Sequence, residues 1–163
     1  MEINTGRWAA RADEGTVLFL IGMRVNRWRS VRDWWPVARA MPGMIRELTG
    51  DPDLGLLDTR YVLDPPRGGT LIQYWRSLDD LYGFASAADH THRPAWTAFF
   101  RAAYKGGAVG IWHETYVLGA HENVYVNMPA FGLGRVGELG TTAEMGNRAA
   151  GRMRATDSLA EHR

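Results

Sequence analysis

Tyr74-Trp75-Arg76-Ser77-Leu78-Asp79-Asp80-Leu81-Tyr82-Gly83-Phe84, followed by Asp89-His90-Thr91-His92-Arg93-Pro94-Ala95-Trp96, is the stretch on which the fold turns. It opens as a strand and becomes a helix at Ser77, a good N-cap residue. Asp79 and Asp80 then occupy the first turn, where the helix dipole favours negative charge. The pattern breaks, and a second helical run starts near Pro94, a residue that only a first turn tolerates. Thr91 caps that run, His92, Arg93 and Pro94 open it, and His92 and Trp96, four apart, share a face.

Working upstream, residues 70–76 and 56–63 read as strands joined by the turn signal Asp64-Pro65-Pro66-Arg67-Gly68-Gly69. Residues 31–48 are helical, with Trp34 or Trp35, Val37 or Ala38, Met41, Met44, Ile45 and Leu48 at helical spacing. Pro36 fits the first turn, Pro42-Gly43 should kink or split the helix, and Thr49-Gly50-Asp51-Pro52 ends it. Residues 16–25 are β-branched and apolar enough for a strand buried on both faces. Downstream, residues 110–118 form a fourth strand and residues 122–127 a short fifth.

The order β-α-β-β-α-β predicts an α+β, ferredoxin-like unit with an antiparallel sheet and an added C-terminal strand. Right-handed crossovers put both helices on one face of the sheet. Neither side of the fourth strand looks wetted, so a second protomer is the expected cover, giving a homodimer formed sheet to sheet. Residues 1–15 read as an N-terminal arm docking through Trp8 or not at all, 16–134 as the domain, and 135–163 as a flexible tail. That tail carries few large apolar residues, so it is expected to be dispensable for folding.

Composition narrows the function classes. Nineteen basic against 18 acidic residues leave a net charge of +1, with no basic stripe for nucleic acid or an anionic membrane. The chain has no cysteine, which removes disulfides, thiolate metal sites and thiol nucleophiles. Its longest apolar run, residues 17–23, is too short to span a bilayer, and no signal-peptide pattern is present, so a cytoplasmic setting is expected. No histidine or carboxylate spacing makes a metal triad, and the glycines of residues 132–137 open no convincing dinucleotide-binding helix. Seven Trp and six Tyr exceed what folding alone needs, and suit an apolar pocket for a flat molecule as well as a core and interface.

Trp75-Arg76-Ser77 leading into Asp89-His90-Thr91-His92-Arg93-Pro94-Ala95-Trp96, then Trp112-His113-Glu114-Thr115-Tyr116 and Asn127-Met128-Pro129, together carry a resemblance. Over residues 15–134 the chain resembles the monooxygenase-like family of the dimeric α/β-barrel superfamily, related to the antibiotic-biosynthesis monooxygenases. That superfamily includes cofactor-independent oxygenases of aromatic polyketides, haem-degrading monooxygenases, haem-binding peroxidases and aldoxime dehydratases. The resemblance implies oxidation of a small hydrophobic or aromatic molecule by dioxygen, in a pocket between sheet and helices. It requires no cofactor on that reading. One alternative is a haem b enzyme with His92 or His113 axial, and another is a non-catalytic ligand-binding barrel.

Several residues are candidates for that chemistry. His92 is a general base or a helix-start histidine bonded to backbone or solvent, and His90 is a loop residue beside it. Tyr74 and Arg76 share one face of their strand and can stabilise an oxyanion, although Arg76 can equally pair with Asp79 or Glu114. His113 reads first as a buried, neutral core histidine and second as a proton relay or axial ligand. Trp75, Trp96, Trp112 and Tyr116 are the aromatic walls available to a ligand, and His121 and His162 read as surface residues.

Overall fold

The computed structural model describes residues 2–86 and 106–160. Elements run in the order β1 (Asn4–Arg11), β2 (Val17–Val25), α1 (Val31–Gly50), β3 (Leu56–Asp64), β4 (Gly68–Trp75), α2 (Leu78–Ser86), β5 (Val109–Val117), β6 (Tyr125–Met128), β7 (Glu138–Thr141), α3 (Thr142–Met145) and α4 (Ala149–Ala160). The second helical run proposed around Thr91 to Trp96 lies outside the described residues.

The chain divides into two units, Leu18–Thr115 and a second made of Met1–Val17 with Tyr116–Arg163. The first is the ferredoxin-like α+β unit, an antiparallel sheet in the order β3-β4-β2-β5. β3 and β4 form a hairpin in which Arg60 faces Ile72 and Tyr61 faces Leu71. Ile21, Met23 and Val25 of β2, Leu71 of β4 and Val109 of β5 make the core with Val37 of α1. Along α1, Trp34, Ala38 and Ile45 pack on that cluster, so the helical spacing of apolar residues becomes a stripe pressed on one sheet face.

α1 runs unbroken through Pro36 and Pro42, so of the kink or split expected at Pro42-Gly43 the split does not occur. Pro42 and Gly43 are exposed, so the carbonyl that loses its N–H partner can turn to water. The helix stops where Asp51 leaves helical geometry and its carboxylate accepts the Asp53 N–H at 3.0 Å, opening a short 3-10 turn. On β4, Gly69, Leu71, Gln73 and Trp75 are buried while Thr70, Ile72 and Tyr74 are half-buried, a period of two with neither side fully wet.

The second unit corrects the reading of both termini. The stretch expected as an arm is β1, the central strand of a sheet ordered β6-β1-β7. Trp8 lies opposite Tyr125 on one side and Thr141 on the other. The added C-terminal strand, β6, therefore pairs with the N-terminus. Polar side chains complete the pairing: Asn123 accepts the Ala10 N–H at 2.7 Å and donates to the Ala10 carbonyl at 2.8 Å. Asn127, at a left-handed φ of 51°, accepts the Gly6 N–H at 2.8 Å.

The expected tail is built into this unit. Thr141 and Glu144 form a reciprocal capping box at α3, and the Thr141 hydroxyl and N–H hold the Glu144 carboxyl below its ordinary range. Arg152 of α4 is buried, pairs with Glu122 and donates to the Gly146 carbonyl at 2.7 Å. His121, expected at the surface, is half-buried. Its Nε2 accepts the Ala12 N–H at 3.1 Å and its backbone N–H donates to Thr156 Oγ1 at 2.9 Å. Among the described residues, no helix is long and apolar enough to cross a membrane.

Candidate functional site

A cavity of about 290 Å³ opens in the ferredoxin-like unit between α1, the end of β2 and the β3–β4 hairpin. Met23 and Val25 line it from β2, Trp34 and Ala38 from α1, and Tyr61 and Leu63 from β3. Trp28 and the segment Pro65-Pro66-Arg67-Gly68-Gly69 complete the wall. Its size and mostly apolar lining suit a small molecule of one or two rings.

Local structure explains each wall. After β2 the chain turns because Asn26 N–H and Arg27 N–H both donate to the Ala108 carbonyl, at 2.9 and 3.2 Å. That turn brings the Trp28 carbonyl to the Trp34 indole N–H, which donates to it at 3.1 Å. The two rings meet edge to face with centroids 5.5 Å apart. Trp28 stays 44% and Tyr61 50% exposed, so the aromatic surface is presented to the opening rather than consumed by the core.

The glycines form the floor. A Cβ on Gly68 would run into the Met23 carbonyl oxygen, and one on Gly69 into the Tyr61 ring. Arg67 carries the one charge among the described lining residues. Its guanidinium donates to the Asn26 carbonyl at 3.1 Å and the Val25 carbonyl at 3.4 Å. None of Trp28, Tyr61 or Arg67 was singled out from the sequence as a site residue. The available signal was Gly68-Gly69 leading into a strand, where two absent side chains mark a close backbone approach.

The described candidates named from the sequence do not line this cavity. Tyr74 is five residues along β4 from Gly69, roughly 16 Å at strand rise. Trp75 is 1% exposed, bonded through its indole N–H to Gln73 Oε1 at 3.1 Å and packed on Phe84, so it is core. Arg76 grips Asp80 with two hydrogen bonds of 3.0 and 3.1 Å, a partner other than the Asp79 or Glu114 considered. Ser77 caps the Asp80 N–H and donates to Asp80 Oδ2 at 2.7 Å, completing the start of α2. His90, His92 and Trp96 lie outside the described residues.

His113 is exposed, against the expectation of a buried core histidine. The described core reaches only to Ile111 along β5, and His113 beyond it meets the Phe19 ring at 5.9 Å. Trp112, one residue before it, and Tyr116, three after it, are 39% and 48% exposed on the opposite face. Among the described residues no histidine lines the cavity, so none of these supplies the axial ligand that the haem alternative needs. Among the described residues, no group of three histidines or carboxylates could hold a metal.

The Arg76 clasp makes a pH prediction. Hydrogen bonds from Arg76 and then Ser77 hold the Asp80 carboxyl below its ordinary range, and Asp80 in turn raises the Arg76 guanidinium. A depressed carboxylate stabilises the fold fully above the unfolded pKa, near about 3.9. The contribution is lost as pH falls through the lower folded value. Asp80→Asn should therefore flatten the acid side of the melting-temperature profile, its loss of stability being present in full at pH 7 and vanishing as pH falls below the folded value. An unchanged slope between pH 4 and pH 2 would remove the clasp from the account. The effect is small, because the Arg76 side of the pair is more than half exposed to solvent.

The sheet order and its crossover helix define the ferredoxin-like unit of the dimeric α/β-barrel superfamily. More narrowly, the chain belongs to the family described as Monooxygenase af470-like, whose model matches residues 16–133. No curated protein matches it. Among solved structures it is similar to an aldoxime dehydratase in complex with butyraldoxime, at 24% identity over 82% of this chain and a TM-score of 0.63. The chain spans 41% of that protein's length, and the likeness is one of fold. A protein from Shewanella oneidensis aligns at 11% identity over 76% of this chain and 96% of its own, with a TM-score of 0.35.

Proposed function

We propose that this protein is a cytoplasmic monooxygenase-type oxidoreductase that oxidises a small hydrophobic or aromatic molecule in the cavity between α1 and the β3–β4 hairpin. The observation that carries the reading is the cavity itself, with Trp28 and Tyr61 turned to its opening and Trp34 packed on the core behind them. The family's monooxygenase-like character supports the reaction class. An electron-rich phenol with an open para position is a sufficient substrate. Its hydroxyl proton and para C–H proton leave, a C–O bond forms, and the O–O bond breaks. Phenol and dioxygen become quinone and water, with all four electrons drawn from the substrate. His92 is the proposed general base, and His92→Ala tests it through the pH dependence of turnover.

The test of the site is oxygen uptake with 1-naphthol, read beside quinone absorbance. Ala38→Phe, which puts a ring into the cavity from α1, should reduce uptake at least tenfold while the melting temperature stays near that of the parent. Equal uptake by a folded Ala38→Phe protein would move the reaction out of this cavity. A Soret band in the purified protein would replace the proposal with the haem alternative, with His92 as the axial candidate.

The homodimer belongs to the same proposal. Trp112 and Tyr116 of β5 and Val62 of β3 leave large apolar surface exposed on the chain, more than a lone protomer gains from showing. Trp112→Arg should convert a dimer to a monomer in size-exclusion light scattering. A parent protein that is already monomeric at micromolar concentration would end this part of the proposal.

A further inference from the structure

We propose that the cavity selects flat aromatic anions, with Arg67 meeting the anionic oxygen of the ligand. The inference rests on the reading of this cavity as the substrate site and names the class of molecule that enters it.

Three observations carry it. First, the remaining lining side chains among the described residues are apolar or aromatic and neutral, so Arg67 is the point at which this described wall has a sign. Second, Arg67 is fixed in place. Its N–H donates to the Asp64 carbonyl at 3.1 Å, its carbonyl accepts the Val25 N–H at 2.6 Å, and its guanidinium holds the Val25 and Asn26 carbonyls. A pre-positioned fork loses little freedom when it takes a further acceptor. Third, those carbonyl partners are neutral. Among the described residues, no carboxylate comes within ion-pair distance of Arg67.

A half-buried guanidinium beside Trp and Tyr rings gives up part of its hydration. Neutral carbonyls return some of that, but only an anion cancels the charge, and such charge-assisted bonds are the stronger kind. Gly68 and Gly69 complete the wall next to the guanidinium, with the Tyr61 ring packed over Gly69 as a flat surface beside the charge. A carboxylate and a phenolate share this chemistry. A phenolate is also the ionised form of the substrate class proposed above.

The experiment is calorimetric titration of the whole chain with two matched pairs. One pair is 2-naphthoate against 2-naphthalenemethanol, and the other is 4-nitrophenolate at pH 8.5 against 4-nitroanisole. At least one anion should bind about tenfold more tightly than its neutral partner, and the pair that does so identifies carboxylate or phenolate as the preferred group. That gap should shrink with added salt, survive in part in Arg67→Lys, and fall below about twofold in Arg67→Gln. Neutral and anionic partners binding alike in both pairs would overturn the inference while leaving the cavity as a binding site. So would a gap that persists in a folded Arg67→Gln protein. If no anion and no neutral molecule binds, the cavity is not the site, and both the inference and the reading beneath it fall. Should Arg67→Gln not fold, the salt series and Arg67→Lys decide alone, and an anion preference indifferent to salt refutes the role of Arg67.

Discussion

Gly68→Ala is expected to lower stability by about 3 kcal/mol, the upper range for forcing atoms into a packed site. At this size of chain that corresponds to roughly 6–12 °C of melting temperature. The new Cβ would overlap the carbonyl oxygen of Met23 on the neighbouring strand, and the Val25 N–H to Arg67 carbonyl bond of 2.6 Å holds β2 and β4 at that approach. Backbone cannot swing aside as a side chain can. Gly22 makes the contrast: a Cβ there would meet the Trp112 indole, a ring with room to rotate, so Gly22→Ala should cost less. Gly83, inside α2 with open space around it, should gain about 0.5–1 kcal/mol as alanine. Urea melts of the three variants check the order. A Gly68→Ala protein as stable as its parent would mean that the strands do not approach so closely and that the cavity floor is drawn wrongly.

Why the main sheet was legible and the site was not follows from where the information lies. β2, β3, β4 and β5 are each short apolar or alternating runs bounded by turn residues, and α1 repeats its apolar positions at helical spacing. Those signals are local, and so is the Ser77 cap. Even the Arg76–Asp80 pair lies at the i, i+4 spacing that favours it, one residue from the partner first considered. β1 carries no such signal: Asn-Thr-Gly-Arg-Trp-Ala-Ala-Arg neither alternates nor runs apolar. It is a strand because β6 and β7, more than a hundred residues away, and the side chains of Asn123 and Asn127 take its backbone groups. Exposure of His113 depends likewise on how far the core extends along β5, which no single strand records. The cavity is a product of three separated segments, of which the sequence showed only the paired glycines.

Deleting residues 142–163 should undo the three-stranded unit, reversing the expectation that the tail is dispensable. Arg152 has 7% of its side chain exposed and is the partner of Glu122, which is 24% exposed. Removing one member of such a pair leaves a charge partly buried without compensation, which costs about 3–5 kcal/mol when burial is complete. Glu122 keeps some contact with water, so the expectation for Arg152→Ala is about 2–3 kcal/mol. Truncation adds the loss of Thr156, whose hydroxyl accepts the His121 N–H and donates to the His121 carbonyl at 3.0 Å. His121 in turn receives the Ala12 N–H, so the effect reaches the strand at the opposite end of the chain. Hydrogen exchange therefore gives the sharper readout: the Ala10 and Ala12 amides should lose protection in the truncated chain and in part in Arg152→Ala. The double replacement Glu122→Leu with Arg152→Met should recover most of the stability, since an apolar pair of similar volume removes both charges together. A truncated protein with parental melting and fully protected Ala10 and Ala12 amides would show that α4 contributes nothing to the sheet it lies against.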